Sequence, residues 1–212
     1  AVGNGPLRGT LLMPEGGEGR PAAVIVPGSG PTDRDGNSPL GVKGSYLRML
    51  AEAMAAEGIA SIRIDKRGMF GSAGSFADPN AATFDDYAAD ALAWVGVARE
   101  KTGADCAWLL GHSEGGLVAL AAAARGEPSL CGLVLVSTPG RRPAEVLREQ
   151  FRANPANAPL LPDVLAAIEA LERGGKVDVS GFHPALQAMF APAIQDFLIG
   201  LFALDPAALA AK

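Results

Sequence analysis

Leu109-Leu110-Gly111-His112-Ser113-Glu114-Gly115-Gly116-Leu117-Val118 decides how the rest of this chain is read. Apolar residues Ala107–Leu110 lead into it and the apolar run Leu117–Ala124 leaves it. The order is strand, sharp turn, helix, with a serine at the bend, and the bend fits Gly-x-Ser-x-Gly. A serine hydroxyl is a weak nucleophile unless it stands clear of the backbone beside a base. A tight strand-to-helix turn lifts it clear by holding the serine in a strained conformation. Gly111 and Gly115 remove the side chains that would collide where strand and helix meet. The helix N-terminus behind Ser113 offers unpaired N–H groups to a developing oxyanion. The bare pattern is common, and an ordinary βα turn with a buried serine also fits it. The flanking apolar runs favour a catalytic Ser113.

Outward from this turn, short apolar runs alternate with helical patterns. Leu7–Met13 is a strand candidate, and Ala22–Val26 is a compact apolar strand. The second ends in Pro27-Gly28-Ser29-Gly30-Pro31-Thr32-Asp33-Arg34-Asp35-Gly36-Asn37, a long loop of turn formers. Ser45 is placed to cap a helix through Glu57, with Tyr46, Leu47, Leu50 and Met54 on its apolar face. Ile59–Asp65 reads as a strand, followed by Lys66-Arg67-Gly68-Met69-Phe70-Gly71-Ser72. Thr83 opens a helix to about Lys101, with Gly103 past its end, and Leu130–Val136 is one more strand. Such alternation predicts an α/β fold, a mainly parallel sheet covered on both faces. Ligands of these sheets collect at the carboxyl ends of the strands, where both Gly-rich loops and Ser113 lie.

After Pro139 the alternation stops. Ala144–Ala153, Pro162–Arg173, Pro184–Phe190 and Ala193–Leu204 read as helices with no strand between them. The expected organisation is a sheet-bearing region over residues 1–139 and a helical cap over 140–212. Leu165, Ile168, Leu171, Phe197, Leu198, Leu201 and Phe202 are assigned to packing between cap helices rather than to substrate contact.

Composition narrows the function. The 212 residues are 49% hydrophobic with a net charge of −5, and no basic run is present, which argues against nucleic acid as a partner. No apolar stretch is judged long enough to span a bilayer. The first residue is Ala1, which leaves room for a removed upstream segment. No signal peptide is visible, so cytoplasmic and exported locations both stay open. Cys106 and Cys131 each stand beside an apolar strand, and those strands are expected to be neighbours. A disulfide suits a chain outside the cytosol, but two separate buried thiols are the favoured reading. No Cys/His cluster has metal-ligand spacing. A phosphate cradle at Gly28-x-Gly30 is disfavoured, because the lysine of a P-loop and the third glycine of a dinucleotide loop are both missing.

Three motifs now stand together: Gly-Ser-Gly-Pro-Thr-Asp-Arg-Asp-Gly-Asn at 28–37, Asp-Lys-Arg-Gly at 65–68 and Gly-His-Ser-Glu-Gly-Gly at 111–116. From about Leu7 to Pro139 the chain resembles the α/β-hydrolase carboxylesterases, in particular the EstD-like group of bacterial esterases, and the motifs occur in that family's order. The resemblance implies the α/β-hydrolase fold and a serine esterase that forms an acyl-enzyme on a small-molecule ester without a cofactor. It also implies an oxyanion hole made by the Ser29 and Glu114 backbone N–H groups, with Gly28 allowing close approach. Asp33, Arg34 and Asp35 are read as tying their loop down by ion pairs. Asp65 and Arg67 are read as bracing the next loop.

A serine hydrolase also needs a base and a group that orients it, and the order expected here is serine, acid, histidine. The chain has two histidines. His112 should project its ring away from Ser113, and His183 reads as a loop histidine ahead of Pro184. No carboxylate follows Ser137-Thr138-Pro139 closely enough to serve as the acid. The acid and base are therefore expected beyond residue 212, in roughly 70–100 further residues. The 212-residue chain alone is expected to hydrolyse p-nitrophenyl acetate poorly. An exposed edge strand at about Leu133–Val136 would favour self-association. An acyltransferase or peptidase on the same scaffold, and a non-catalytic fragment or binding module, are the alternatives.

Overall fold

Five strands form one sheet in the computed structural model, which describes residues 6–16 and 19–212: β1 (Gly9–Leu12), β2 (Ala22–Val26), β3 (Ala60–Ile64), β4 (Ala107–His112) and β5 (Leu130–Val136). Their spatial order is β1-β3-β2-β4-β5. Only β1 runs antiparallel to its neighbour; the other pairings are parallel. Every residue of β2 and β3 is buried; β2 accordingly reads as an unbroken apolar run, whereas β3 buries Ser61 and Arg63 between its apolar residues. Helices α1 (Tyr46–Ala56), α2 (Phe84–Thr102) and α3 (Glu114–Ala123) connect them. Almost all of α3 is buried, as its unbroken apolar sequence requires.

Local signals set the ends of α2. Thr83 Oγ1 accepts the Asp86 N–H at 3.1 Å, and the Asp86 carboxylate accepts the Thr83 N–H at 2.9 Å. Gly103 ends the helix with φ 69°. The start of α1 differs from expectation. Ser45 has φ 47° and makes no side-chain cap; its N–H and Oγ instead donate to Asn37 Oδ1 at 3.0 and 3.2 Å. The Asp35 carbonyl accepts the N–H groups of Leu47 and Arg48 at 3.1 and 3.3 Å, so the loop after β2 closes this helix end.

The expectation of two separate thiols is corrected. Cys106 and Cys131 stand at the start of neighbouring parallel strands and are joined by a disulfide, with Cα atoms 5.2 Å apart. Strand order supplies the proximity that the bridge needs. Among the described residues β5 has no partner strand on its other side, and Val134, Leu135 and Val136 are 41, 41 and 40% exposed.

Contacts group the chain into two units, the first reaching Thr138 and the second spanning Pro139–Ala211. The second unit, taken by itself, is helical: α4 (Pro143–Ala153), α5 (Leu161–Glu172), α6 (Pro184–Met189), α7 (Gln195–Phe202) and α8 (Pro206–Ala210). Ile168, Leu171, Leu186, Phe190 and Phe202 form its core, with Leu198 and Leu201 packed against them. Gln195 is buried there and satisfied. Its Oε1 accepts the Val177 N–H at 3.0 Å, and its Nε2 donates to the carbonyls of Val177 and Phe190 at 2.8 and 2.9 Å. One expectation about length also needs correcting. Pro184–Phe202 is 19 residues with a mean hydropathy of 1.4, apolar and long enough to cross a membrane by length and composition. Leu186, Phe190 and Phe202 of this stretch enter the core of the unit, 22% of the stretch is buried, and Pro192 opens a 3-10 turn between α6 and α7.

Candidate functional site

Ser113 sits between the last residue of β4 and the first of α3, with φ 55° and ψ −120°. That conformation is costly for any residue with a Cβ. Two hydrogen bonds hold it. The Ser113 N–H donates to the Val136 carbonyl at 2.9 Å, and its carbonyl accepts the Gly116 N–H at 3.0 Å. The glycines act as expected. A Cβ on Gly111 would fall on the backbone of Gly115 and Gly116, and one on Gly115 would lie 2.6 Å from the Pro27 carbonyl oxygen. The Ser113 hydroxyl makes no cap hydrogen bond to the helix it precedes, and the residue is half-buried.

The loop after β2 lies directly against this bend. A Cβ on Gly28 would come within 3.3 Å of Ser113 Cβ and 3.2 Å of His112 Nδ1, so only glycine fits without a shift. Ser29, next in sequence, is exposed. The backbone N–H groups of Ser29 and Glu114 donate to no acceptor among the described residues. The bend therefore sets a half-buried serine in a strained conformation beside the Gly28–Ser29 loop.

His112 turns to Tyr46. The tyrosine hydroxyl lies 3.4 Å from Nδ1, and the rings meet edge to face with centroids 5.2 Å apart. Burial, with Asp33 nearby, raises the pKa of the Tyr46 hydroxyl. His183 belongs to the second unit, where its Nδ1 accepts the Ala185 N–H at 3.2 Å and caps α6.

The charged loop residues divide. Arg34 pairs with Asp65, donating from its backbone N–H at 2.8 Å and from Nε at 3.0 Å. Asp35 pairs with Arg63. Asp33 departs from the expectation of an ion pair: its carboxylate accepts the N–H groups of Asp35 and Asn37 at 2.9 and 2.8 Å, closing the turn locally. Asp65 also accepts the Gly71 N–H at 3.0 Å, so it fastens both loops. Arg67 donates from Nε to Asp90 at 2.8 Å and lies over the Phe76 ring.

Lys66 has partners that its sequence context does not announce. It is only 5% exposed. Its Nζ donates to the Gly28 carbonyl at 2.8 Å, reaches Glu114 Oε1 at 3.5 Å and lies 5.7 Å from the centre of the Tyr87 ring. Burial pushes its pKa down, against the opposing pull of Glu114. The one available signal was its position, inside a charged triplet at the carboxyl end of a buried strand. Among the described residues, no group of three or more His, Cys, Asp or Glu side chains could hold a metal ion.

Comparison with known proteins identifies the family and the fold. The family described as serine aminopeptidase, S33, matches residues 42–171, a span that contains the Ser113 bend. The esterase EstD of Thermotoga maritima is 29% identical over 147 residues, covering 69% of this chain and 34% of that protein. A thermostable carboxyl esterase from Bacillus coagulans superposes with a TM-score of 0.55 at 19% identity, over 88% of this chain and 52% of its own. A proline iminopeptidase-related protein from Thermus thermophilus gives 0.51 at 25% identity, over 82% and 54%. The fold is that of the α/β-hydrolases. The chain spans about a third of the length of the curated esterase and about half of each solved structure.

Proposed function

Because this chain belongs to the serine aminopeptidase S33 family, we propose that it carries the nucleophile half of a carboxylic ester hydrolase. The observation that supports this best is the strained Ser113 bend set against the Gly28–Ser29 loop. In this reading Ser113 Oγ attacks the carbonyl of a short-chain ester, and the Ser29 and Glu114 N–H groups hold the oxyanion. The alcohol leaves, and water then releases the acid from the acyl-enzyme. His112 is engaged with Tyr46, and no other histidine lies in the unit that carries Ser113. The acid and base are accordingly assigned to residues outside this 212-residue stretch, on strands that extend the sheet from the unpaired side of β5. The second unit is read as the helical cap.

A fluorophosphonate probe tests the reading. A full-length protein should label at Ser113 and hydrolyse p-nitrophenyl acetate, with both lost in Ser113→Ala. Retained hydrolysis in that variant would remove the nucleophile assignment. The family description and the iminopeptidase-related structure favour one second reading, removal of an N-terminal amino acid. Turnover of an aminoacyl p-nitroanilide in preference to the p-nitrophenyl ester would select it.

A further inference from the structure

A buried ammonium needs partners that replace its water, and those of Lys66 are unusual in where they lie. The Gly28 carbonyl, 2.8 Å from Nζ, is one end of a peptide group whose other end is the Ser29 N–H. That peptide is trans and planar, so its C=O and N–H point in opposite directions. Fixing the oxygen on Lys66 fixes the direction of the N–H. The next carbonyl, that of Ser29, is also tied, accepting Thr32 Oγ1 at 3.0 Å. Positive charge on the Gly28 oxygen polarises the peptide and strengthens its N–H as a donor. The second partner, Glu114, offers its own free backbone N–H on one side and its carboxylate to Lys66 on the other. One ammonium therefore links the two segments that carry the proposed oxyanion donors.

We propose that Lys66, held by Glu114, is a positioning residue of the oxyanion hole: it locks the Gly28–Ser29 peptide with its N–H turned to the oxygen that becomes negative. The inference rests on Ser113 being the nucleophile. A lysine kept for stability alone would not change how the site treats the carbonyl oxygen, and an ester compared with its thionoester isolates that property. Sulfur in place of the carbonyl oxygen is larger and a weaker acceptor, so an ordered pair of N–H donors discriminates against it.

The test is carried out on the full-length enzyme. Lys66→Met should lower kcat for the ester about 10- to 100-fold, less than the roughly 100- to 1,000-fold cost of losing an oxyanion donor outright, with KM changed less than about twofold. Its preference for ester over thionoester should shrink. A folded Lys66→Met enzyme with an unchanged preference overturns the proposal, as does equal turnover of the two substrates by the wild type. If Lys66→Met does not fold, Glu114→Gln keeps the side-chain volume and removes the counter-charge. A reduced preference there supports the proposal, and an unchanged one overturns it. Ser113→Ala separates the two levels: retained turnover there removes the nucleophile reading itself, whatever Lys66 does.

Discussion

Replacing Ser113 by glycine should stabilise the protein relative to replacing it by alanine, which inverts the ordinary ranking of the two residues. The reason lies in the backbone. At φ 55° and ψ −120°, Ser113 occupies the conformation of the first central residue of a type II′ turn, where glycine is preferred. A residue with a Cβ pays about 1–3 kcal/mol there. Glycine avoids that cost but loses about 0.4–1 kcal/mol more chain entropy on folding. The difference favours Ser113→Gly over Ser113→Ala by roughly 1 kcal/mol, or about 2–4 °C in melting temperature for a chain of this size. Neither variant disturbs the hydrogen bonds to Val136 and from Gly116, because both are made by the backbone. Tryptophan fluorescence during urea denaturation is a suitable assay. Both tryptophans, Trp94 and Trp108, lie in the unit that carries the bend, so the signal reports that unit. A midpoint for Ser113→Gly equal to or below that of Ser113→Ala would show that the bend is relaxed. The case for a serine held out by strain would then fail.

Two further outcomes concern stability. The Cys106–Cys131 bridge closes a loop of sequence separation 25, so the double serine variant should lose about 3 kcal/mol in chemical denaturation. Dithiothreitol should shift the wild type toward the variant and leave the variant unmoved. Asp86 supplies a pH signature. Burial raises its pKa, but the hydrogen bonds from Thr83 and the charge of Arg67 outweigh that and hold it below the usual carboxylate range. A lowered folded-state value contributes stability that is present above the unfolded value of about 3.9 and is lost as pH falls through the folded one. Asp86→Asn should therefore cost about 0.5–1 kcal/mol at pH 7, with the difference from wild type closing below about pH 4.

The sequence made legible those features whose causes lie within a few residues. Thr83 and Asp86 are three apart, and Gly103 needs no partner, so both ends of α2 could be read directly. The bend at Ser113 carries its own glycines, and the apolar runs of β2, β4 and β5 announce themselves. Features fixed by strand order could not be read in this way. Cys106 meets Cys131 only because β5 lies beside β4. The cap of α1 comes from a carbonyl at Asp35, which any residue could supply, while Ser45 carried the side chain that suggested otherwise. Lys66 reaches across 38 and 48 residues of sequence to Gly28 and Glu114. No local pattern encodes those separations.

Three consecutive charged residues, Asp65, Lys66 and Arg67, follow the buried strand β3 at 2, 5 and 6% exposure. Burying ions is a poor route to stability, since desolvation offsets much of the attraction. What such pairs supply is placement. Asp65 takes Arg34 and the Gly71 N–H, fastening the loops after β2 and β3 to each other. Lys66 takes Gly28 and Glu114, fastening the loop after β2 to the bend that carries Ser113. Arg67 takes Asp90, fastening the same strand end to α2. Three adjacent side chains leave one strand in different directions, and together they set the loop, the bend and the helix around one point at the carboxyl edge of the sheet. An apolar triplet could fill the same volume, but it would offer no donor to the Gly28 carbonyl and no counter-charge to Glu114, removing the anchor on which the proposed orientation of the Ser29 N–H rests.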